Sequence, residues 1–124
     1  MKTRKELNEE YKHMKFQMGV FQIKNNLNGK IYIGSSLDLK AIWNAQKLQL
    51  GIGMHKNSDL QKEWKEFGAE NFSYEILEEI SESDDKDIDY KKELKALEAM
   101  VIEELQPFGN KGYHKATNFF SAMI

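Results

Sequence analysis

Apolar and polar positions alternate with a period of two over residues 19–24 (GVFQIK) and 30–34 (KIYIG), and Asn25-Asn26-Leu27-Asn28-Gly29 lies between them. Two β-branched and aromatic runs around an Asn/Gly-rich connector predict a β-hairpin, with Gly29 free to take a positive φ in the turn. On the first strand Gly19, Phe21 and Ile23 share one face, and Met18, Val20 and Gln22 the other; on the second, Ile31 and Ile33 oppose Tyr32. Each face carries large apolar side chains, so the hairpin is expected to be covered on both sides. After it the period lengthens. Ser35-Ser36-Leu37-Asp38 offers N-cap residues before a helix over 37–50, with Leu39, Trp43 and Lys47 on one stripe and Ile42, Gln46 and Leu50 on the next. Gly51 and Gly53 are predicted to end this helix and to bracket a flexible loop carrying His55.

Ser58-Asp59 is expected to cap a second helix containing Leu60, Trp64 and Phe67, stopped by Gly68. Phe72, Tyr74 and Ile76 alternate with more polar neighbours over 71–80, which reads as a third strand. Over 89–106, Tyr90, Leu94, Leu97, Val101 and Leu105 form an apolar helical stripe with Glu98 at its edge, so that Glu98 can point inward where Glu103 faces water. Pro107 stops this helix, and 108–112 form a turn. The expected architecture is α+β: three antiparallel strands flanked by helices.

The flanks read differently. Residues 3–15 predict a short charged helix after a Thr3 cap, with Leu7, Tyr11 and Met14 as its apolar side and His13 on the surface. The run from Glu78 to Asp89 is acidic, and Asp84, Asp85, Asp87 and Asp89 read as solvated loop and helix-start acids rather than as a cation loop, since the glycine and distal glutamate of an EF-hand are missing. Phe119, Phe120, Met123 and Ile124 make an apolar tail. The chain is thus expected to carry a helical extension (1–16) and an apolar tail (119–124) on either side of one central domain.

Composition narrows the setting. The sequence has no cysteine, which removes thiolate metal sites and disulfides and suits a reducing, cytoplasmic environment. Its first residues lack the apolar core of a secretory signal, and no apolar run is long enough for a transmembrane helix. Net charge is −2, so bulk charge does not announce a nucleic-acid binder. The distribution says more: residues 1–66 hold 12 of the 18 Lys/Arg against 7 of the 20 Asp/Glu. A basic first half is compatible with a phosphate-facing surface, and an acidic second half with repelling DNA or meeting a basic partner; the asymmetry is equally that of solvated faces that happen to differ. Arg4 is the only arginine, so rigid bidentate phosphate recognition has a single candidate.

Gly19-Val20-Phe21 and Tyr32-Ile33-Gly34, with the hairpin between them, resemble the paired motifs of the GIY-YIG nuclease family. The similarity continues through Trp43, the His55 loop, the Trp64–Gly68 segment, Glu98 and Gly112-Tyr113, over about residues 17–118. The resemblance implies the GIY-YIG-type fold and metal-assisted phosphodiester hydrolysis. In such chemistry a glutamate holds Mg²⁺ or Mn²⁺, a tyrosine aided by a histidine or second tyrosine handles the water's proton, an arginine neutralises the phosphoryl group, and an asparagine orders the site.

Carried over to this chain, the resemblance implies Glu98 as metal ligand, with Tyr32 and His55 as its catalytic partners. Four positions depart from the pattern. The first motif closes on Phe21 instead of tyrosine, the arginine position holds Ile42, a histidine one turn later is Gln46, and the asparagine is His114. Losing one preorganised donor costs on the order of a hundred- to a thousand-fold in rate. Lys40 and Lys47 are the cations nearest to Ile42 in sequence, yet a helix turns them about 200° and about 140° away from it. His114 can replace asparagine as a polar group or metal ligand. The expectation is a catalytically degenerate domain that binds nucleic acid (DNA first) or a protein partner on the old active-site surface. The alternative is an active Mg²⁺-dependent endonuclease cleaving DNA phosphodiesters through Tyr32, His55 and Glu98.

Overall fold

The structure, a computed structural model, describes residues 17–81 and 88–115. Three expectations lie outside these residues: the N-terminal helix with Thr3, Arg4 and His13, the acids Asp84, Asp85 and Asp87, and the apolar tail from Phe119 to Ile124. Among the described residues, three strands and three α-helices follow in the order β1 (Met18–Asn25), β2 (Ile31–Ser36), α1 (Leu39–Ile52), α2 (Ser58–Phe67), β3 (Phe72–Ile80) and α3 (Tyr90–Leu105). The sheet order is β2-β1-β3 and both pairings are antiparallel. This is the α+β architecture expected from the periodicities. Among the described residues, no helix is long and apolar enough to cross a membrane.

The hairpin closes as its composition requires. Gly29 takes φ +78, Asn25 Oδ1 accepts from the Leu27 amide (2.9 Å), and Asn28 Oδ1 accepts from the Lys30 amide (3.0 Å). On the other side of β1 the register slips between Val20 and Phe21. Gly19 approaches β3 so closely there that a Cβ would lie 1.9 Å from the Glu78 carbonyl oxygen, a contact that glycine alone permits.

The alternation of β1 and β2 sorts two cores. Phe21, Ile23 and Tyr32 pack with Leu39 and Leu50 of α1 and Leu60 and Trp64 of α2 on one face. Val20 and Ile33 pack with Val101 and Ile102 of α3 on the other. Each fully buried large apolar side chain contributes about 1.5–3 kcal/mol, so a one-residue slip in either strand would exchange the two cores at prohibitive cost.

Two element boundaries and one core position differ from the expectation. The first helix passes through Gly51 and ends at Gly53, which adopts the left-handed cap (φ 79). The second is capped by Asn57, whose side chain accepts from the Leu60 amide, so Ser58 is already helical. On α3, Leu105 is exposed and Ile102 is buried in its place, because the sheet sits over Val101 and Ile102. Asp89 and Gln106 are the caps of α3, and Gln106 takes φ 49 ahead of buried Pro107.

The chain after α3 returns to the outer edge of β2. Gly112 bridges Ile31 in parallel, and the Tyr113 amide donates to the Ile31 carbonyl (3.0 Å). Tyr113 is held from behind by Asn25, a fully buried residue whose Nδ2 donates to the Tyr113 hydroxyl (3.2 Å). The segment 112–114 thereby occupies an edge that would otherwise present unpaired backbone groups.

Candidate functional site

A cleft of about 660 Å³ opens at this edge, between β2, the start of α2, α3 and the returning segment. Tyr32, Glu98 and His114 line it, and so do Lys56, Lys95 and Lys115. Of the seven positions singled out by the family resemblance, these three share the cleft. Phe21, Ile42, Gln46 and His55 are not among its lining residues.

Tyr32 is the hinge of the arrangement. It lies almost wholly buried between two imidazoles, stacked on His114 (centroids 5.2 Å apart, planes 6° apart) and edge-on to His55 (5.3 Å, 82°). Burial, with a smaller contribution from the Glu98 carboxylate, pushes its phenol up to about 12. Tyr32 is therefore a neutral hydroxyl at physiological pH, able to donate a hydrogen bond but poorly suited to accept a proton as phenolate.

His55 is buried and fully engaged. Its backbone amide donates to Gln61 Oε1 (3.0 Å), the Asn57 amide donates to its Nδ1 (3.0 Å), and its Nε2 hydrogen-bonds Gln46 Oε1. A nitrogen that accepts cannot carry the proton, so the pattern assigns the neutral tautomer with its hydrogen on Nε2, given to Gln46. Burial holds the ring below the ordinary histidine range, with the nearby Lys56 ammonium acting in the same direction. The loop that reads as flexible is thus tied down at three atoms of His55, and Gln61 Nε2 adds a bond to the Leu50 carbonyl (2.8 Å).

His114 has the opposite tautomer. The Ile33 amide donates to its Nε2 (2.8 Å), which leaves the neutral ring's hydrogen on Nδ1. Burial lowers its pKa, again helped by Lys56. A neutral imidazole in this tautomer offers one N–H donor, the same service as an asparagine amide. It offers a metal no lone pair, because one nitrogen accepts from Ile33 and the other is protonated.

The remaining substituted positions are packed into or against the core. Phe21 is buried with its ring against Gly34, where a Cβ would lie 2.6 Å from Phe21 Cζ. Ile42 packs, half-buried, on the cluster around Phe21 and Tyr32. Trp43 stacks on Tyr74 (4.9 Å), whose hydroxyl donates to the Leu39 carbonyl (2.7 Å), while Lys47 lies over the Trp43 ring (5.0 Å). Neither Lys40 nor Lys47 is a lining residue of the cleft, and neither is Ile42. The cations that do line it went unforeseen. Lys56 follows His55, Lys115 follows His114 and Lys95 precedes Glu98 by three, so adjacency to family positions was the available signal.

The fit to a divalent metal is poor. Ser35 Oγ donates to Glu98 Oε1 (3.4 Å), and the Lys95 ammonium lies 3.6 Å from Oε2. Among the described residues no group of three or more His, Cys, Asp or Glu side chains is placed to hold a metal ion. A Mg²⁺-like ion can manage with one carboxylate plus waters and substrate oxygens. Here Glu98, the carboxylate at the family's metal position, already faces an ammonium.

No family model matches the chain. It is 40% identical over 62 residues to Intron-associated endonuclease 1 of Enterobacteria phage T4, which is 50% of this chain and 25% of that protein. The chain thus spans about a quarter of the length of the curated relative it matches. Two solved structures are similar over most of their length. A mutant form of the catalytic domain of intron endonuclease I-TevI superposes with a TM-score of 0.67 at 31% identity, covering 80% of this chain and 93% of that one. The catalytic domain of homing endonuclease I-TevI does so with a TM-score of 0.65 at 33% identity, covering 77% and 95%.

Proposed function

The chain belongs to the GIY-YIG nuclease family as a homing-endonuclease-like domain, and from that premise we propose that it binds nucleic-acid phosphate groups in the β2-edge cleft and hydrolyses them weakly or not at all. The observation that carries this reading is His55: both ring nitrogens are spent inside the fold, on Asn57 and Gln46. Ile42 supports it, since an apolar side chain packed on the core stands where the family's cation would be. Tyr32 supports it too, because a phenol raised to about 12 gives up its proton reluctantly and is scarcely populated as the phenolate that would take one from water.

What the cleft does offer is donors. Lys56, Lys95 and Lys115 outnumber the carboxylates Asp59 and Glu98 along its lining, and the Nδ1–H of His114 adds a neutral donor. Point-charge ammonium groups suit sequence-independent phosphate contact. DNA is the first partner to test, since the similar proteins are endonucleases of introns and homing.

The test pairs two measurements. Anisotropy of a labelled oligonucleotide in EDTA should report binding that weakens with salt, with a log–log slope of about −1.4 to −1.8 for two phosphate contacts, those of Lys56 and Lys115. Lys56→Gln with Lys115→Gln should flatten that slope. Supercoiled plasmid with Mg²⁺ or Mn²⁺ should remain intact with both the wild type and Glu98→Ala. A second reading, an active Mg²⁺-dependent endonuclease, is favoured by Tyr32 and Glu98 lining one cleft. Metal-dependent nicking by the wild type that disappears in Glu98→Ala would establish it and overturn the first.

A further inference from the structure

Both oxygens of Glu98 are met from within the chain: Oε1 by the Ser35 hydroxyl (3.4 Å) and Oε2 by the Lys95 ammonium (3.6 Å). The two side chains differ in exposure, 19% for Glu98 and 75% for Lys95. A largely sheltered carboxylate demands a counter-charge, and the lysine supplies it from a side chain that is itself mostly exposed. The i,i+3 spacing on α3 places the two groups on neighbouring parts of one helix surface, and both line the cleft. Lys56 and Lys115 line the same cleft and add to the positive potential that an incoming cation would meet.

We propose that Lys95 is the resident counter-ion of Glu98 and holds the position at which a divalent cation would otherwise bind. The ammonium is a permanent, tethered cation, so the carboxylate is neutralised without any ion drawn from solution. A divalent ion approaching Oε2 must displace that ammonium and then sit a few ångströms from it. For a ligand the consequence, which rests on the phosphate-binding reading of the cleft, is that Glu98 does not repel an incoming phosphate and no metal is needed to bridge the two.

The competition is measurable without nucleic acid. Free Mn²⁺ is titrated into the full chain and followed by electron paramagnetic resonance, comparing wild type, Lys95→Gln, Glu98→Gln and the double variant. Lys95→Gln keeps the length and polarity of the side chain and removes the charge. At effective dielectric constants near a protein surface, its loss should tighten Mn²⁺ binding on the order of tenfold, and the gain should vanish in the double variant. Mn²⁺ affinity in Lys95→Gln within twofold of wild type would overturn the proposal, whether both bind or neither does. So would a gain that survives Glu98→Gln. Oligonucleotide binding in EDTA on the same samples tests the phosphate reading separately: its absence alongside the Mn²⁺ gain would sink that reading and leave the counter-ion assignment standing.

Discussion

Replacing Gln46 with leucine probes whether the chemistry of His55 is used up inside the fold. Both residues are buried, Gln46 at 6% exposure and His55 at 7%. The Asn57 amide occupies Nδ1, so the imidazole hydrogen must be on Nε2, facing Gln46 Oε1. Leucine fills a similar volume but removes the acceptor, and the N–H is left in a place where water does not reach it. An orphaned buried donor costs about 1–3 kcal/mol, and the added apolar burial offsets part of this. A net loss of about 1–2 kcal/mol would lower Tm by roughly 3–10 °C for a chain of this length. Thermal and urea unfolding followed by circular dichroism measure it. His55→Phe keeps a ring edge-on to Tyr32 and removes the donor, so Gln46→Leu should cost much less in that background, with a coupling of about 1 kcal/mol. A cost below about 0.5 kcal/mol, or one equal in both backgrounds, refutes the reasoning. Imidazole nitrogen spectra that place the His55 proton on Nδ1 would do the same.

Two further outcomes follow from the same geometry. His55 and His114 both titrate below the ordinary value of about 6.5 because they are buried as neutral rings, so the unfolded chain takes up protons before the folded one. Their contribution is complete above about pH 7 and is lost as pH falls through 6.5 toward the folded-state values. The urea midpoint should therefore drop between pH 7.5 and 5.5, less steeply in His114→Asn, and a flat midpoint would contradict the assignment. Gly34→Ala places a methyl group 2.6 Å from Phe21 Cζ and should cost about 1–3 kcal/mol, most of it relieved when Phe21→Leu shortens the opposing side chain. Equal costs in the two backgrounds would show that the ring is not what excludes the methyl.

The function of the cleft turns on where charges ended up, and that is a tertiary matter. On α1, a helix wheel turns Lys40 and Lys47 away from position 42. It has no way to bring in Lys56, Lys95 and Lys115 from a loop, the other face of the sheet and the returning segment. The same holds for His114. As a letter it is either a ligand or a donor, and the Ile33 amide, 81 residues away, selects the tautomer that makes it a donor. Gln46 likewise reads as a lost histidine until the fold sets it against His55.

Local rules did determine much. Period-2 alternation with an Asn/Gly turn specifies β1 and β2, because a hairpin's register depends on its own turn and on which face is apolar. Stripes of period 3.6 specify the three helices to within two or three residues, and the family motifs in 19–34 select the fold. End points were less legible, since Asn57 outcompetes Ser58 as cap through a hydrogen bond whose geometry depends on the loop before it. The choice of Ile102 over Leu105 as a core residue was set by where the sheet lies along α3. The sequence by itself therefore determined the elements, the fold and the family. Only the tertiary structure decided which side chains still face the cleft and which have been spent inside the fold, because hydrogen-bond partners and counter-charges far apart in sequence are chosen by packing.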